Sequence, residues 1–257
     1  MLDLPAHLGD GKGMRWLCIV FAWFFPAALV VAAVPEDSRQ LILGLTDDWS
    51  DSHATLTYYE RGARGGWRAV GQPWPARVGR EGLAWGRGLH AVPPDSNVAM
   101  KREGDMKAPA GIFDLGGVWG YDESVRRHPK MPYRQVTPRD LWIEDPASPH
   151  YNRHLVLPHE PRADWEKKGQ MRQNDPVHSL KLFIKHNAPP EVQPGAGSAI
   201  FFHIWRANGG RPAAGCTTME EARLRELIAR LDPTRRPVFA LLPRADYERL
   251  REAWKLP

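Results

Sequence analysis

FFHIWRANGGRPAAGCTTMEE, residues 201–221, places a histidine at the end of an apolar run and a cysteine between a glycine and two threonines. Gly195–Gly197 precede the apolar run and Asn208–Gly210 follow it, as expected for a buried strand over Ala199–Trp205. Strand side chains alternate, so Ala199, Phe201, His203 and Trp205 share one face, and Ile200, Phe202 and Ile204 share the other. Thr217-x-x-Glu220 and Thr218-x-x-Glu221 each match a capping box, which predicts a helix starting one or two residues after Cys216. A thiol at such a terminus lies in a positive field, which with a nearby imidazole brings thiol pKa values to roughly 3.5–7.5. The 204–215 segment, with Gly209, Gly210 and Pro212, is flexible enough to return the thiol toward His203. Thiol and imidazole together are the minimal set for acyl transfer through a thioester. A buried inert cysteine and a core histidine are the competing account of the same residues.

Outward from this stretch the chain reads as β-rich. Gln40–Thr46, Ala54–Glu60, Trp67–Val70, Met131–Val136, Leu141–Ile143, Leu180–Lys185 and Val238–Leu242 are further short strand patterns, punctuated by 23 Gly and 24 Pro. Two amphipathic helices are expected near the end, over Met219–Leu231 and Asp246–Trp254. The loops at Ala91–Asp95, Asp145–Tyr151 and Pro158–Gln173 read as irregular, and long loops in compact domains often carry function. The fold class expected is mostly β with few helices (α+β), as one domain over residues 34–257.

Residues 1–33 differ from the rest. Lys12 and Arg15 precede the apolar Leu17–Ala33, which ends in small residues at Val31 and Ala33. That order is a secretory signal peptide cleaved after Ala33, with an uncleaved N-terminal anchor as the alternative. Export removes Cys18, one of two cysteines, and leaves Cys216 as a lone thiol in a compartment that favours disulfides. The formal charge of +5 is scattered rather than gathered into a basic tract. Nucleic acid is therefore not an expected partner, and an anionic wall or membrane surface is compatible. Pro149 and Pro158 break any helix that would align His150, His154 and His159, so no metal site is expected. A serine hydrolase is not supported, because the chain has no G-x-S-x-G elbow.

The 201–221 stretch resembles the catalytic motif of the YkuD-type L,D-transpeptidases. KREGDMKAPAGIFDLG (101–116) is similar to that family's segment ahead of the active-site sheet. GREGLAWGRG (79–88), DPASPHYN (145–152) and PGAGSAIFFHIW (194–205) resemble one exported proteobacterial branch. The resemblance spans roughly residues 75–245. It implies a YkuD-like β-sandwich or mixed-sheet catalytic domain with C-terminal helices. It further implies Cys216 as nucleophile, His203 as base, the Ile204 carbonyl as the group orienting the imidazole, and the Gly215 and Cys216 amides as oxyanion donors. Trp205, Arg206 and Thr217 are expected to touch substrate. The family's usual Ser/Thr-His-Gly-Cys is here Ala213-Ala214-Gly215-Cys216, and its Arg or Asn two residues beyond the cysteine is Thr218.

The implied activity is periplasmic peptidoglycan transpeptidation on stem peptides, forming 3→3 or variant 1→3 cross-links without a cofactor, with a carbapenem adduct at Cys216. Membrane contact is expected only through an uncleaved N-terminal segment. The rivals are a carboxypeptidase or wall hydrolase using the same pair, and a non-catalytic wall-binding module.

Overall fold

The computed structural model describes residues 33–62 and 65–257. The expected export segment, with Cys18, lies outside these residues up to position 32.

Among the described residues, thirteen strands and three α-helices follow in chain order. They are β1 (Gln40–Thr46), β2 (His53–Arg61), β3 (Trp67–Ala69), β4 (Trp74–Arg77), β5 (Leu83–Trp85), β6 (Ala108–Gly120), β7 (Tyr133–Gln135), β8 (Asp140–Trp142) and β9 (His154–Val156). Helix α1 (Asp164–Lys168), β10 (Leu180–Ile184), β11 (Phe201–Ile204), β12 (Thr217–Met219), α2 (Glu221–Arg230), β13 (Pro237–Pro243) and α3 (Arg244–Leu250) complete the chain. Eleven of the strands form one mixed sheet in the order β1-β13-β6-β10-β11-β12-β4-β2-β3, with β5 and β7 on β6. Because β1 also pairs with β2, the sheet returns on itself as a closed barrel rather than two facing sheets. Closure removes free edges from the ring. The other two strands, β8 and β9, pair with each other as an antiparallel two-stranded sheet.

Periodicity explains the interior. Leu41, Ile42 and Leu56 from β1 and β2, Ile112 and Phe113 from β6, and Val238–Leu242 of β13 join one apolar cluster. Ile200, Phe202 and Ile204 of the β11 region enter the same cluster, and Phe202 meets Phe239 with ring centroids 4.7 Å apart. Leu224, Leu227 and Ile228 of α2 close over it with a spacing of three and four residues.

Three expectations need correction. Residues 217–219 are strand, with Thr217 opposite Phe202 and Thr218 opposite His203 and Arg77. Helix α2 begins only at Glu221, and its cap, Glu220, makes no side-chain capping bond. The β-branched threonines pair within the sheet, and that tertiary pairing overrides the local capping signal. The 158–173 loop, read as irregular, contains α1, where the Glu166 carboxylate accepts from the amides of Arg162 and Ala163. Finally, β6, the longest strand, was not expected as one, because Pro109 and Gly116–Gly117 obscure any alternation.

Candidate active site

Residues 136–179, between β7 and β10, fold over the outer face of β10 and β11 and turn part of that face into a cleft of about 70 Å³. Its floor and walls include Lys181, Phe201, His203 and Cys216 from the sheet, and Trp142, Glu144, Met171 and His178 from the covering segment. The alternation of β11 accounts for the floor. Phe201 packs with Trp142, Phe183 and Met171 in a second apolar cluster, against which Ala199 and Cys216 also rest. Edge and tilted ring contacts of 4.6 Å (Trp142–Phe183) and 4.8 Å (Trp142–Phe201) stiffen it.

Cys216 and His203 meet through register. Parallel pairing sets Phe202 beside Thr217, so Cys216 stands next to Phe201 and one diagonal step from His203. Diagonal neighbours across adjacent strands lie within reach of long side chains. The thiol donates to the Ala199 carbonyl at 3.3 Å and accepts from the Phe201 amide at 3.4 Å, so its hydrogen bonds here go to backbone and not to the imidazole. Burial pushes the thiol up to about 11, against the Phe201 amide, which lowers it, and Glu144 next, which raises it. The lowering expected from a helix terminus is absent because β12, not a helix, follows the sulfur.

His203 is buried, and its Nδ1 lies 2.9 Å from the Ile204 carbonyl. That carbonyl can only accept, so Nδ1 carries the proton and Nε2 keeps its lone pair. Burial first, and the neighbouring His178 next, hold the imidazole down at about 3, so it is neutral at working pH. His178 stacks on His203 with centroids 4.9 Å apart. It is held in turn by Asp175, whose carboxylate also bonds Arg206 at 2.8 Å.

Gly215 has φ +151, a conformation favouring glycine, and an added Cβ would stand 3.1 Å from the Lys107 carbonyl. Ile204 reaches the site through its carbonyl alone, since its side chain joins the barrel core. Thr217 is buried on the side of Phe202, away from the cleft. Trp205 lines a different depression with His53, Arg77 and Asn208. Arg206 is exposed and connects to the cleft only through Asp175 and His178.

Several side chains in this region were not singled out from the sequence. Lys181 and Glu144 are far apart in the chain and become neighbours only on folding. Asn152 carries the most work of any polar residue beneath the site. It accepts from the Ala199 amide at 3.0 Å and Trp142 Nε1 at 2.9 Å, and donates to the carbonyls of His186 and Asn187. It therefore anchors Ala199, which sits at φ +55 and whose carbonyl receives the Cys216 thiol. The DPASPHYN stretch contains this asparagine and Tyr151, whose hydroxyl accepts from the Gly197 amide. Of the three histidines weighed for a metal, His154 instead donates from Nε2 to the buried Asp140 at 2.8 Å.

A model of the L,D-transpeptidase catalytic domain family, YkuD, matches residues 49–239. No curated protein and no solved structure matches the chain in the corresponding comparisons. The match covers most of the chain, including barrel strands β2 to β12 and every residue of the cleft, and the chain belongs to the YkuD family of L,D-transpeptidase catalytic domains.

Proposed function

We propose that this protein is a peptidoglycan L,D-transpeptidase in which Cys216 is the nucleophile and His203 the proton carrier. The observation that carries this reading is that the strand register brings the free thiol and the Nδ1-protonated imidazole to one cleft in a chain of this family. Family members act on stem peptides of peptidoglycan, so the substrate is a stem peptide with an L,D bond.

The chemistry follows from the groups present. The Cys216 proton passes to His203 Nε2, and the sulfur attacks the carbonyl of the L residue. The carbonyl oxygen takes the developing negative charge, and the amides of Gly215 and Cys216 are the donors that meet it. As the C–N bond breaks, His203 returns the proton to the departing amine and a thioester remains. An amine from a neighbouring stem then gives its proton to His203, attacks the thioester and restores the thiol. Because Nδ1 is held by the Ile204 carbonyl, the ring presents Nε2 throughout. Such a substrate lies outside the cytoplasm, which agrees with residues 1–33 acting as an export signal and a mature protein beginning near Val34. Mass spectrometry of the native N-terminus checks that assignment.

Muropeptide analysis after incubation with purified stem peptides tests the function. Dimeric cross-linked products dependent on Cys216 are expected, and the linked residues give the bond type. Trimmed monomers alone would make water the acceptor and the protein a hydrolase.

A further inference from the structure

Lys181 occupies a place where an apolar residue is the default. It lies on β10, directly across from Trp119 on one side and His203 on the other, with only 5% of its surface exposed. Its Nζ donates to the Met171 carbonyl at 3.0 Å and stands 5.9 Å from the Phe201 ring. Burying an ammonium in an aromatic floor is costly unless an opposite charge answers it. Among the described residues no carboxylate pairs directly with Lys181, and the groups it faces across the cleft are Cys216, Asp175 and Glu144. Burial lowers its affinity for a proton to about 8, so it still carries charge at neutral pH. The second buried lysine near the sulfur, Lys101, is neutralised by Asp105 at 2.6 Å. The thiol beside this unanswered cation has no helix terminus after it, and Ala214 precedes Gly215 where an imidazole would stand in the usual family motif.

We propose that Lys181 is a positioning residue for the nucleophile, its ammonium being the counter-charge that lets the half-buried Cys216 thiol ionise. This rests on reading Cys216 as the nucleophile. Lys181 neither takes nor gives a proton in the scheme. It holds the charge that appears on sulfur when the thiol proton leaves for His203, and the charge returns to zero when the thioester forms.

The test is the pH dependence of Cys216 alkylation by iodoacetamide, a neutral probe that needs no turnover, in the full chain. Lys181→Gln keeps a donor for the Met171 carbonyl and removes only the charge. It should raise the apparent thiol pKa by about one unit or more and slow alkylation at neutral pH about tenfold. Lys181→Arg should recover most of that loss, and Lys181→Met should reproduce it. Other groups facing the sulfur and the ammonium are His203, His178, Glu144 and Asp175, so the same profile in His178→Gln identifies any limb that belongs to the stacked imidazole. A folded Lys181→Gln protein with the wild-type alkylation profile would overturn the proposal, as would an Arg variant as impaired as the Gln variant. A profile unchanged for iodoacetamide, combined with a raised KM for stem peptides, would show that Lys181 holds a substrate carboxylate instead. Absence of cross-linked product with an intact lysine effect on alkylation would leave this proposal standing and remove the transpeptidase reading.

Discussion

The two faces of β11 carry opposite chemistry within a run of four residues. Phe202 and Ile204 point into the barrel among apolar side chains, while Phe201 and His203 point outward beneath the covering segment. Both faces are buried. The interior cluster is apolar, so its contribution is area removed from water. The outer face, where His203 and Lys181 are buried and Cys216 is half-buried, holds a thiol, an imidazole and an ammonium. There the same burial that stabilises the interior shifts proton affinities, with His203 held down at about 3 and Cys216 up at about 11. Closing the barrel removes edges, and covering one patch of its outside creates the chemical environment.

If that division is right, damage to each face should read out differently. His203→Gln should lower turnover roughly 10²- to 10⁴-fold, the usual range for general acid–base help, with unfolding midpoints close to wild type. The imidazole works as a base only when neutral, and burial keeps it neutral down to about 3. The acidic limb of the wild-type rate profile should therefore lie well below the ordinary histidine value of about 6.5, and an acidic limb near 6.5 would contradict the burial argument.

Phe202→Ala, one residue away, should cost about 3–5 kcal/mol of stability in a denaturant titration, because it empties a core position against Phe239. A loss under about 1 kcal/mol would mean that the barrel interior is not the continuous core described.

A smaller effect sits in the covering segment. Asp140 is fully buried, accepts from the Thr137 amide and hydroxyl and from His154, and pairs with Arg134. Burial opposes its charge, yet these donors hold its carboxyl down at about 2. A carboxyl with a depressed folded-state value contributes stability above its unfolded value near 4, and that stability is lost as pH falls through about 2. The total is about 2 kcal/mol, and Asp140→Asn should flatten acid unfolding in that window. The smallest effect belongs to the exposed Arg206–Asp175 pair, where Arg206→Ala should change stability by less than about 1 kcal/mol.

How much of this was legible in the sequence follows the same division. Strand β1 and the interior face of β11 were readable because one side of each strand is apolar and the spacing shows it. The pairing of Cys216 with His203 in one cleft was readable from residue types, although for a partly mistaken reason. Thr217 and Thr218 carry a helix-cap signal, yet their β-branched side chains enter the sheet between β11 and β4. The thiol therefore reaches the cleft by strand register and not by a returning loop onto a helix. Lys181, Glu144 and Asn152 gave no local signal, since each acquires meaning only from neighbours distant in sequence. Strand β6 was hidden because buried barrel strands with Pro and Gly lose their alternation.

The central claim, that Cys216 on the covered face is an acyl-transfer nucleophile served by His203, has a direct measurement. Intact-mass spectrometry of the folded protein after brief exposure to a stem-peptide donor, without an acceptor amine, should show an added mass equal to the acyl portion of the donor. The adduct should map to Cys216, disappear in Cys216→Ala, and accumulate far more slowly in His203→Gln. A folded wild-type protein that forms cross-links with no adduct at Cys216, or whose Cys216→Ala variant retains turnover, would contradict the account.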